Sequence, residues 1–257
     1  MAQPTRDTGA WVRRFHPAPD ARTRLVCFPH AGGSAPYFFP VSRALSPAVE
    51  VLAIQYPGRQ DRRTEPPIDD VVRLAELVVD ELDTWSDRPL ALFGHSMGAT
   101  VAFEVARRLE ARGTVPVGLF PSGRRAPSRR RAEWVHQSTD DALVAEITRL
   151  SGTDAQVLGD PELLQMILPA VRSDYKAAET YRCRPGPKLT CPIVTLTGDD
   201  DPQVTLDEAE DWRGYTTGRF ELRVYPGGHF YLDSHVTEIL ALITAHLAEQ
   251  LAADERA

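Results

Sequence analysis

Ser96 is the first residue of interest for chemistry, because it is the central residue of the motif GHSMG at positions 94–98, directly after the apolar run LALF. A serine hydroxyl is a weak nucleophile until a neighbouring base takes its proton, and it can then carry an acyl group as a covalent intermediate. Since glycine and serine are common residues, such a pattern arises by chance in a chain of this length about one time in ten. A base, an acid and a suitable turn must accompany Ser96 before it is identified as a nucleophile.

His229 is the strongest candidate base, because it follows the last predicted strand in the turn PGGHF, where two glycines let the imidazole fold back over the sheet edge. The acid that orients this imidazole is expected after another strand. The predicted strand PIVTLTG is followed by Asp199, Asp200 and Asp201. We favour Asp201, three residues after the glycine that ends the strand, while the spacing leaves the other two open. The chain order Ser–Asp–His is that of α/β-hydrolases and not that of chymotrypsin or subtilisin.

Two backbone N–H groups are needed to stabilise the charge that develops on the carbonyl oxygen during acyl transfer. Met97 supplies one, since its N–H directly follows the nucleophile. The other is expected from the loop FPHAGGS at residues 28–34, which follows the apolar run LVCF, with the N–H of Ala31 as the candidate. We interpret His95, although adjacent to Ser96, as a structural hydrogen-bonding residue and not as the base.

Alternating strand and helix patterns are expected to position these groups. Short apolar runs bounded by glycine, proline or charged residues predict strands at 25–28, 50–54, 90–93, 115–120, 192–198 and 220–225. Helical periodicity is found at 69–85, from Met97 to about Gly113, and from about 237 to 251. This alternation predicts βαβ units around a mostly parallel sheet that is buried on both faces.

The segment from about 128 to 187 breaks this alternation, because it shows helical signals and no convincing strand. About sixty residues between neighbouring strands is more than one crossover helix needs. We therefore predict a single domain over 1–257 with a helical insertion at about 128–187 that covers the sheet edge, which we call the lid segment. Ordinary crossover helices are the alternative.

The composition, the net charge and the cysteine count disfavour several classes of function. The 257 residues are 42% hydrophobic and 25% charged, typical of a globular domain, and the net charge of −7 disfavours nucleic acid as a partner. The three cysteines have no metal-site spacing, and no metal or cofactor is expected. The N-terminal stretch has no apolar signal-peptide region, and prolines and glycines interrupt the longest uncharged stretch, so we expect a cytoplasmic protein without membrane contact.

Five blocks together resemble the stand-alone type II thioesterases that accompany polyketide and nonribosomal peptide synthases. They are FPHAGGS at 28–34, QYPGRQDR at 55–62, GHSMG at 94–98, SGRRAP at 122–127 and PGGHF at 226–230. The resemblance implies an α/β-hydrolase fold and hydrolysis of acyl thioesters from the phosphopantetheine arm of acyl or peptidyl carrier proteins, which removes stalled or misprimed groups. It also implies that Ser96, Asp201 and His229 form the triad and that Ala31 and Met97 are the oxyanion donors.

One feature separates this chain from thioesterase domains fused to synthases, which usually carry the acid after the strand that follows the nucleophile helix. The corresponding segment here, GLFPSGRRAPS, contains no carboxylate, so the acid must come later.

The alternative functions are a general carboxylesterase or lipase, an acyltransferase of the same fold, and a non-catalytic carrier-binding module. A complete Ser-Asp-His set disfavours the last of these. A monomer is the default expectation.

A basic cluster stands out in this acidic chain and consists of Arg124, Arg125, Arg129, Arg130 and Arg131. Such runs are usually solvated loops. The functional hypothesis is that some of these arginines contact the pantetheine phosphate or an acidic helix of the carrier protein.

Overall fold

A seven-stranded sheet forms the centre of residues 9–150 and 160–254, the part of the chain that this computed structural model describes. Its strands are β1 (Val12–Arg13), β2 (Thr23–Phe28), β3 (Val49–Ile54), β4 (Leu90–His95), β5 (Gly118–Ser122), β6 (Ile193–Gly198) and β7 (Phe220–Tyr225). Their order is β1-β3-β2-β4-β5-β6-β7, and every neighbouring pair is parallel except β1 with β3. The predicted α/β class is confirmed.

The six predicted strands are all present, with small differences at their ends. The run VPVGLF forms a strand only from Gly118, and the two-residue edge strand β1 was not predicted. Strands β2 to β6 are buried along their whole length, which accounts for their continuous apolar runs.

The α-helices in the described residues are α1 (Phe39–Leu45), α2 (Val71–Leu82), α3 (Met97–Ala111), α4 (Asp140–Leu150), α5 (Pro161–Thr180), α6 (Leu206–Glu210) and α7 (Val236–Asp254). Helix α2 begins after Asp70, whose side chain accepts a hydrogen bond from the Arg73 N–H at 2.8 Å. Helix α3 is followed by Gly113 with a φ of +86°, a conformation that suits glycine at a helix end.

Alternate residues along each strand point to opposite faces of the sheet and build two apolar layers. On one face, Val26, Leu52 and Leu92 pack with buried side chains of α2 and α3. On the other face, Leu25, Val51 and Ala91 pack with α1 and α7. The sheet is therefore covered by helices on both sides, and its residues at the strand ends are the ones that can face a ligand.

The lid segment contains α4 and α5, and its residues 151–159 lie outside the described part of the chain. The helical signals predicted for this segment include one long helix, α5, with Pro169 inside it. A small separate core of Leu143, Ile147, Leu168 and Val171 joins α4 to α5. That this segment is an insertion into one domain stays a prediction.

Helix α7 is the one helix of the described residues that could cross a membrane by length and composition, over Val236–Ala253. Its Ile239, Ile243 and Leu247 are buried in the core against the sheet.

Candidate active site

The turn that carries Ser96 has the strand–turn–helix geometry of a nucleophile elbow. Strand β4 ends at His95 and helix α3 begins at Met97, so Ser96 alone makes the turn, with φ 53° and ψ −119°. Such a backbone conformation costs about 1–3 kcal/mol in a residue other than glycine and persists only where the surroundings enforce it. Here the Ser96 N–H donates to the Ser122 carbonyl at 2.8 Å, which ties the turn to the end of β5.

The two glycines of the motif are required by close backbone contacts. A Cβ at Gly94 would lie 2.2 Å from the Gly98 carbonyl oxygen, and a Cβ at Gly98 would lie 2.1 Å from the carbonyl oxygen of Phe28. These contacts bring the first turn of α3 against the end of β2. The elbow is therefore packed directly beside the loop that follows β2.

His229 and Asp201 lie beside each other at the carboxyl end of the sheet. The Nδ1 atom of His229 is 3.0 Å from Oδ1 and 2.9 Å from Oδ2 of Asp201, and both side chains are buried. Asp201 also accepts from the Gln203 N–H at 2.8 Å. With Nδ1–H donating to the carboxylate, the opposite ring nitrogen, Nε2, is left to accept a proton. Of the three neighbouring aspartates, Asp201 is the one that contacts the imidazole, whereas Asp199 accepts from the Gly227 N–H at 2.8 Å.

His95 faces the interior and joins three elements. Its Nδ1 is 3.0 Å from the Ser122 hydroxyl, which is in turn 2.6 Å from the hydroxyl of Tyr231. Its ring lies 4.9 Å from that of His229, centroid to centroid. Burial, and then the proximity of His229 and His30, lower the pKa of His95 well below its ordinary value, so its ring is neutral. The contacts agree with a structural role for His95.

Three backbone donors in the loop after β2, or directly following it, are occupied. The N–H of Gly32 donates to Asp174, that of Gly33 to the His30 carbonyl, and that of Ala35 to the Gln55 side chain. Ala31 and Met97 both line the cavity that Ser96 lines. The oxyanion role of their N–H groups stays a prediction.

A cavity of about 300 Å³ contains Ser96 and His229 on its floor. Its other walls come from α4, from α5, from the segment after β5 and from the loop after Asp201. Many of the wall residues are charged or polar, namely Arg124, Arg131, Glu133, Glu146, Arg149, Tyr175, Glu179 and Gln203. The lid segment forms much of this cavity.

The five arginines after β5 have different environments. Arg124 lines the cavity, and burial together with the neighbouring Arg125 lowers its pKa to about 10. Arg125 is buried, pairs with Glu133 and donates to the Gln203 carbonyl at 3.2 Å. Arg129 pairs with Asp211 at the surface, and the half-buried Arg131 pairs with Glu208 at 2.6 Å. Within the described residues Arg130 makes no ion pair and is exposed.

A family model for the thioesterase domain matches residues 23–247 of this chain. The chain belongs to the thioesterase family. Thioesterase PikA5 of Streptomyces venezuelae is 58% identical to this thioesterase over 243 residues, with 94% of this chain and 86% of PikA5 covered. A probable cadicidin biosynthesis thioesterase of Streptomyces griseus is 53% identical over 252 residues, covering 98% and 69% of the two chains.

The solved structure of BorB, the type II thioesterase of the borrelidin biosynthetic cluster, superposes on this thioesterase with a TM-score of 0.88. The two are 54% identical, and 92% of this chain and 97% of that one are covered. The resemblance to type II thioesterases seen in the sequence blocks is confirmed, and this thioesterase is a hydrolase of thioester bonds. Among the described residues no group of three or more His, Cys, Asp and Glu side chains is arranged to hold a metal ion.

Sequence reasoning missed two sets of residues around this site. One is the Ser122–Tyr231 pair behind His95, and the other is Asp174 on α5, which binds the loop after β2. The block SGRRAP contained Ser122, yet neither its position nor that of Tyr231 gave a signal of contact, because the two are 109 residues apart.

Proposed function

We propose that this thioesterase hydrolyses acyl groups from the phosphopantetheine arm of acyl or peptidyl carrier proteins in polyketide or nonribosomal peptide biosynthesis, with Ser96, His229 and Asp201 as its triad. The observation that carries the proposal is the His229–Asp201 contact of 2.9 Å, with His229 lining the same cavity as Ser96. The likeness to PikA5 and to the type II thioesterase BorB supports the carrier-bound substrate.

The mechanism has two half-reactions. In the first, Ser96 Oγ attacks the thioester carbonyl carbon and its proton passes to His229 Nε2, while Asp201 stabilises the imidazolium through Nδ1. The N–H groups of Ala31 and Met97 donate to the oxyanion, and the dipole of α3 adds favourable potential there. The carbon–sulfur bond then breaks, and the imidazolium returns the proton to the leaving thiolate.

In the second half-reaction His229 takes a proton from water, and the resulting hydroxide attacks the acyl-serine carbonyl. The same two N–H groups stabilise the second oxyanion. Collapse of this intermediate returns the proton from His229 to Ser96 Oγ, so the free acid leaves and the enzyme is regenerated. One oxyanion donor contributes about 10²–10³ in rate, and base assistance contributes about 10²–10⁴.

The triad is tested by comparing Ser96→Ala, His229→Ala and Asp201→Asn with wild type on acyl-carrier protein, acyl-pantetheine and a simple oxygen ester. We expect losses of about 10³-fold or more for the first two and about 10²–10⁴-fold for the third. Asp199→Asn and Asp200→Asn are matched controls and should retain near-wild-type rates. Near-normal hydrolysis by Ser96→Ala or His229→Ala would refute the triad.

The same measurements separate the competing functions. A strong preference for plain oxygen esters over carrier-bound thioesters favours a carboxylesterase or lipase. Appearance of the acyl group on an added alcohol or amine, in place of free acid, indicates an acyltransferase. Binding of acyl-carrier protein with no turnover by wild type indicates a non-catalytic module. We expect free acid from the carrier-bound thioester.

For the basic cluster we propose that Arg124 and Arg130 contact the pantetheine phosphate or an acidic helix of the carrier protein. Arg124 lines the cavity beside Ser96, and Arg130 is exposed without an ion pair among the described residues. The remaining three members of the cluster already bind carboxylates of this chain, which leaves less charge for a partner.

Charge reversal tests this contact. Arg130→Glu, alone and with Arg124→Gln, is expected to raise KM for acyl-carrier protein several-fold and to flatten its salt dependence, with little effect on a simple ester. The control is Arg219→Glu, an exposed arginine just before β7 at the opposite edge of the sheet, where no change is expected. Unchanged turnover and salt dependence in both cluster variants would contradict the contact.

We further propose that the catalytic unit is a single domain with a helical lid, acting as a monomer in the cytoplasm. All three cysteines are free thiols, and two of them, Cys27 and Cys191, are buried, which agrees with a reducing compartment.

A further inference from the structure

Arg59 and Asp174 form a buried ion pair that the proposed mechanism does not use. Arg59 lies in the loop after β3 and Asp174 lies on α5 of the lid segment, and their side chains are 8% and 1% exposed. Two guanidinium nitrogens of Arg59 donate to the two carboxylate oxygens of Asp174, at 2.5 Å and 2.8 Å. This bidentate arrangement fixes the relative orientation of the two groups as well as their separation.

Both members of the pair also bind the loop that carries Ala31. The N–H of Gly32 donates to Asp174 Oδ2 at 2.8 Å, and Arg59 donates to the Gly33 carbonyl at 3.1 Å. Val171, one turn before Asp174 on α5, packs on Gly32 so closely that a Cβ there would lie 3.0 Å from it. The peptide groups directly after Ala31 are therefore held from both sides by the pair.

Stability alone does not account for an ion pair in this place. Burying two charges is costly, and well-packed apolar side chains often serve as well or better. The pair joins two segments that are 115 residues apart, and one of them bears the wall of the acyl cavity, since Tyr175, Ala178 and Glu179 of α5 line it. What the pair adds is a fixed geometry between that wall and the backbone at Ala31.

We propose that Asp174 and Arg59 are positioning residues that orient the Ala31 N–H toward the oxyanion, and that the oxyanion hole is complete only when α5 is docked. This inference rests on the proposed function, because it assigns a role within the same site. Docking of the lid helix around an acyl group and assembly of the oxyanion hole are then one event, which couples substrate enclosure to catalytic competence.

Asp174→Asn tests the proposal, because it keeps the shape of the side chain and removes the charge. Kcat is expected to fall at least about ten-fold, since complete loss of an oxyanion donor costs about 10²–10³. A trifluoromethyl ketone analogue of acyl-pantetheine reports on the hole directly. Ser96 Oγ adds to its carbonyl carbon, the serine proton passes to His229, and the ketone oxygen becomes the oxyanion. Its inhibition constant should rise by the same factor as kcat falls.

An acyl-pantetheine amide, with nitrogen in place of the sulfur, reports on ground-state binding, and its Kd should change less than about three-fold. The matched control is Glu50→Gln, a similarly buried carboxylate that binds arginines at the opposite sheet edge, where kcat and both affinities should stay at wild-type values. If Asp174→Asn does not fold, Arg59→Lys replaces it, since lysine keeps the charge and loses the bidentate geometry.

Two results would overturn the proposal. Either kcat and affinity for the ketone are unchanged, or the affinities for the ketone and the amide fall together, in which case Asp174 only holds the cavity wall. Failure of the proposed function is distinguishable from both. If wild type ignores carrier-bound thioesters but Asp174→Asn still lowers Ser96-dependent hydrolysis of a simple ester, the substrate assignment fails and the positioning role stands.

Discussion

The substitution Gly98→Ala is expected to disturb the geometry of the elbow. A Cβ at this position would lie 2.1 Å from the Phe28 carbonyl oxygen and 2.6 Å from that of Pro29, whereas real Cβ atoms essentially never come closer than 3.0 Å to such a neighbour. The contacting atoms are backbone at the end of β2 and cannot rotate away. The first turn of α3 must therefore move by about 1 Å relative to β2 before the methyl group fits.

This movement separates the two proposed halves of the oxyanion hole. Ser96 and Met97 belong to the turn that moves, whereas Ala31 belongs to the loop that continues from β2. A misplacement of about 1 Å between reacting groups costs about 10²-fold in rate. Overpacking of this kind also costs about 1–3 kcal/mol of unfolding free energy. We expect kcat/KM to fall about 100-fold while the chain still folds.

The assay is steady-state hydrolysis of a chromogenic acyl thioester, with urea unfolding measured on the same preparations. Gly214→Ala is the control, since a Cβ at Gly214 meets nothing within 4 Å, and its activity and stability should stay near wild type. A folded Gly98→Ala variant with kcat/KM within three-fold of wild type would refute the reasoning that the elbow and the loop after β2 form one rigid oxyanion hole.

Two further predictions concern stability. Glu50→Gln removes the buried carboxylate that contacts Arg24 at 2.9 Å and leaves this buried arginine only the half-exposed Asp87, so the unfolding free energy in urea should fall by up to about 3 kcal/mol. The exposed Glu76→Gln should change it by less than about 0.5 kcal/mol, and equal shifts would contradict the argument. For Glu104, burial raises the pKa, but bonds from Tyr181 and an arginine outweigh it and leave the pKa below its ordinary value of 4.5. A carboxylate with a lowered folded-state pKa adds stability above its unfolded pKa, and this stability is lost as the pH falls through the folded-state pKa. The urea concentration at the unfolding midpoint should therefore decrease when the pH is lowered below about 4.5, and the decrease should be smaller in Glu104→Gln.

The elbow could be predicted because all of its determinants are local. A buried strand, a serine between two glycines and an amphipathic helix follow each other without interruption, and the observed β4, Ser96 and α3 differ from the prediction by a residue or two. The three triad candidates each follow a different parallel strand, and carboxyl ends of parallel strands meet at one edge. Their convergence therefore followed from the fold class, although the choice of Asp201 over its two neighbours became visible only in the contact with His229.

The pattern of charges in the sequence does not determine which arginines of the basic cluster form ion pairs within the chain. In the sequence the five arginines are equivalent, but the fold brings Glu133, Glu208 and Asp211 against three of them. Two of these carboxylates are more than 70 residues from their partners in the chain, so no local pattern could pair them. A run of like charges in a sequence thus overstates the charge that is available to a partner.

Contacts between residues that are distant in the chain also shape the cavity that Ser96 lines. For this reason the sequence predicts the family and the chemistry but not which acyl group is preferred. The reacting groups lie at strand ends, where topology dictates their meeting. The cavity walls come from α4, α5 and two loops that meet through contacts such as Gln203 with Glu146, at 3.0 Å and 57 residues apart. A single substitution in α5 reshapes the wall without altering any motif. If the Asp174–Arg59 pair couples α5 to the oxyanion loop as proposed, such a substitution changes catalytic rate as well as fit, so that selectivity among acyl groups is expressed in kcat more than in KM.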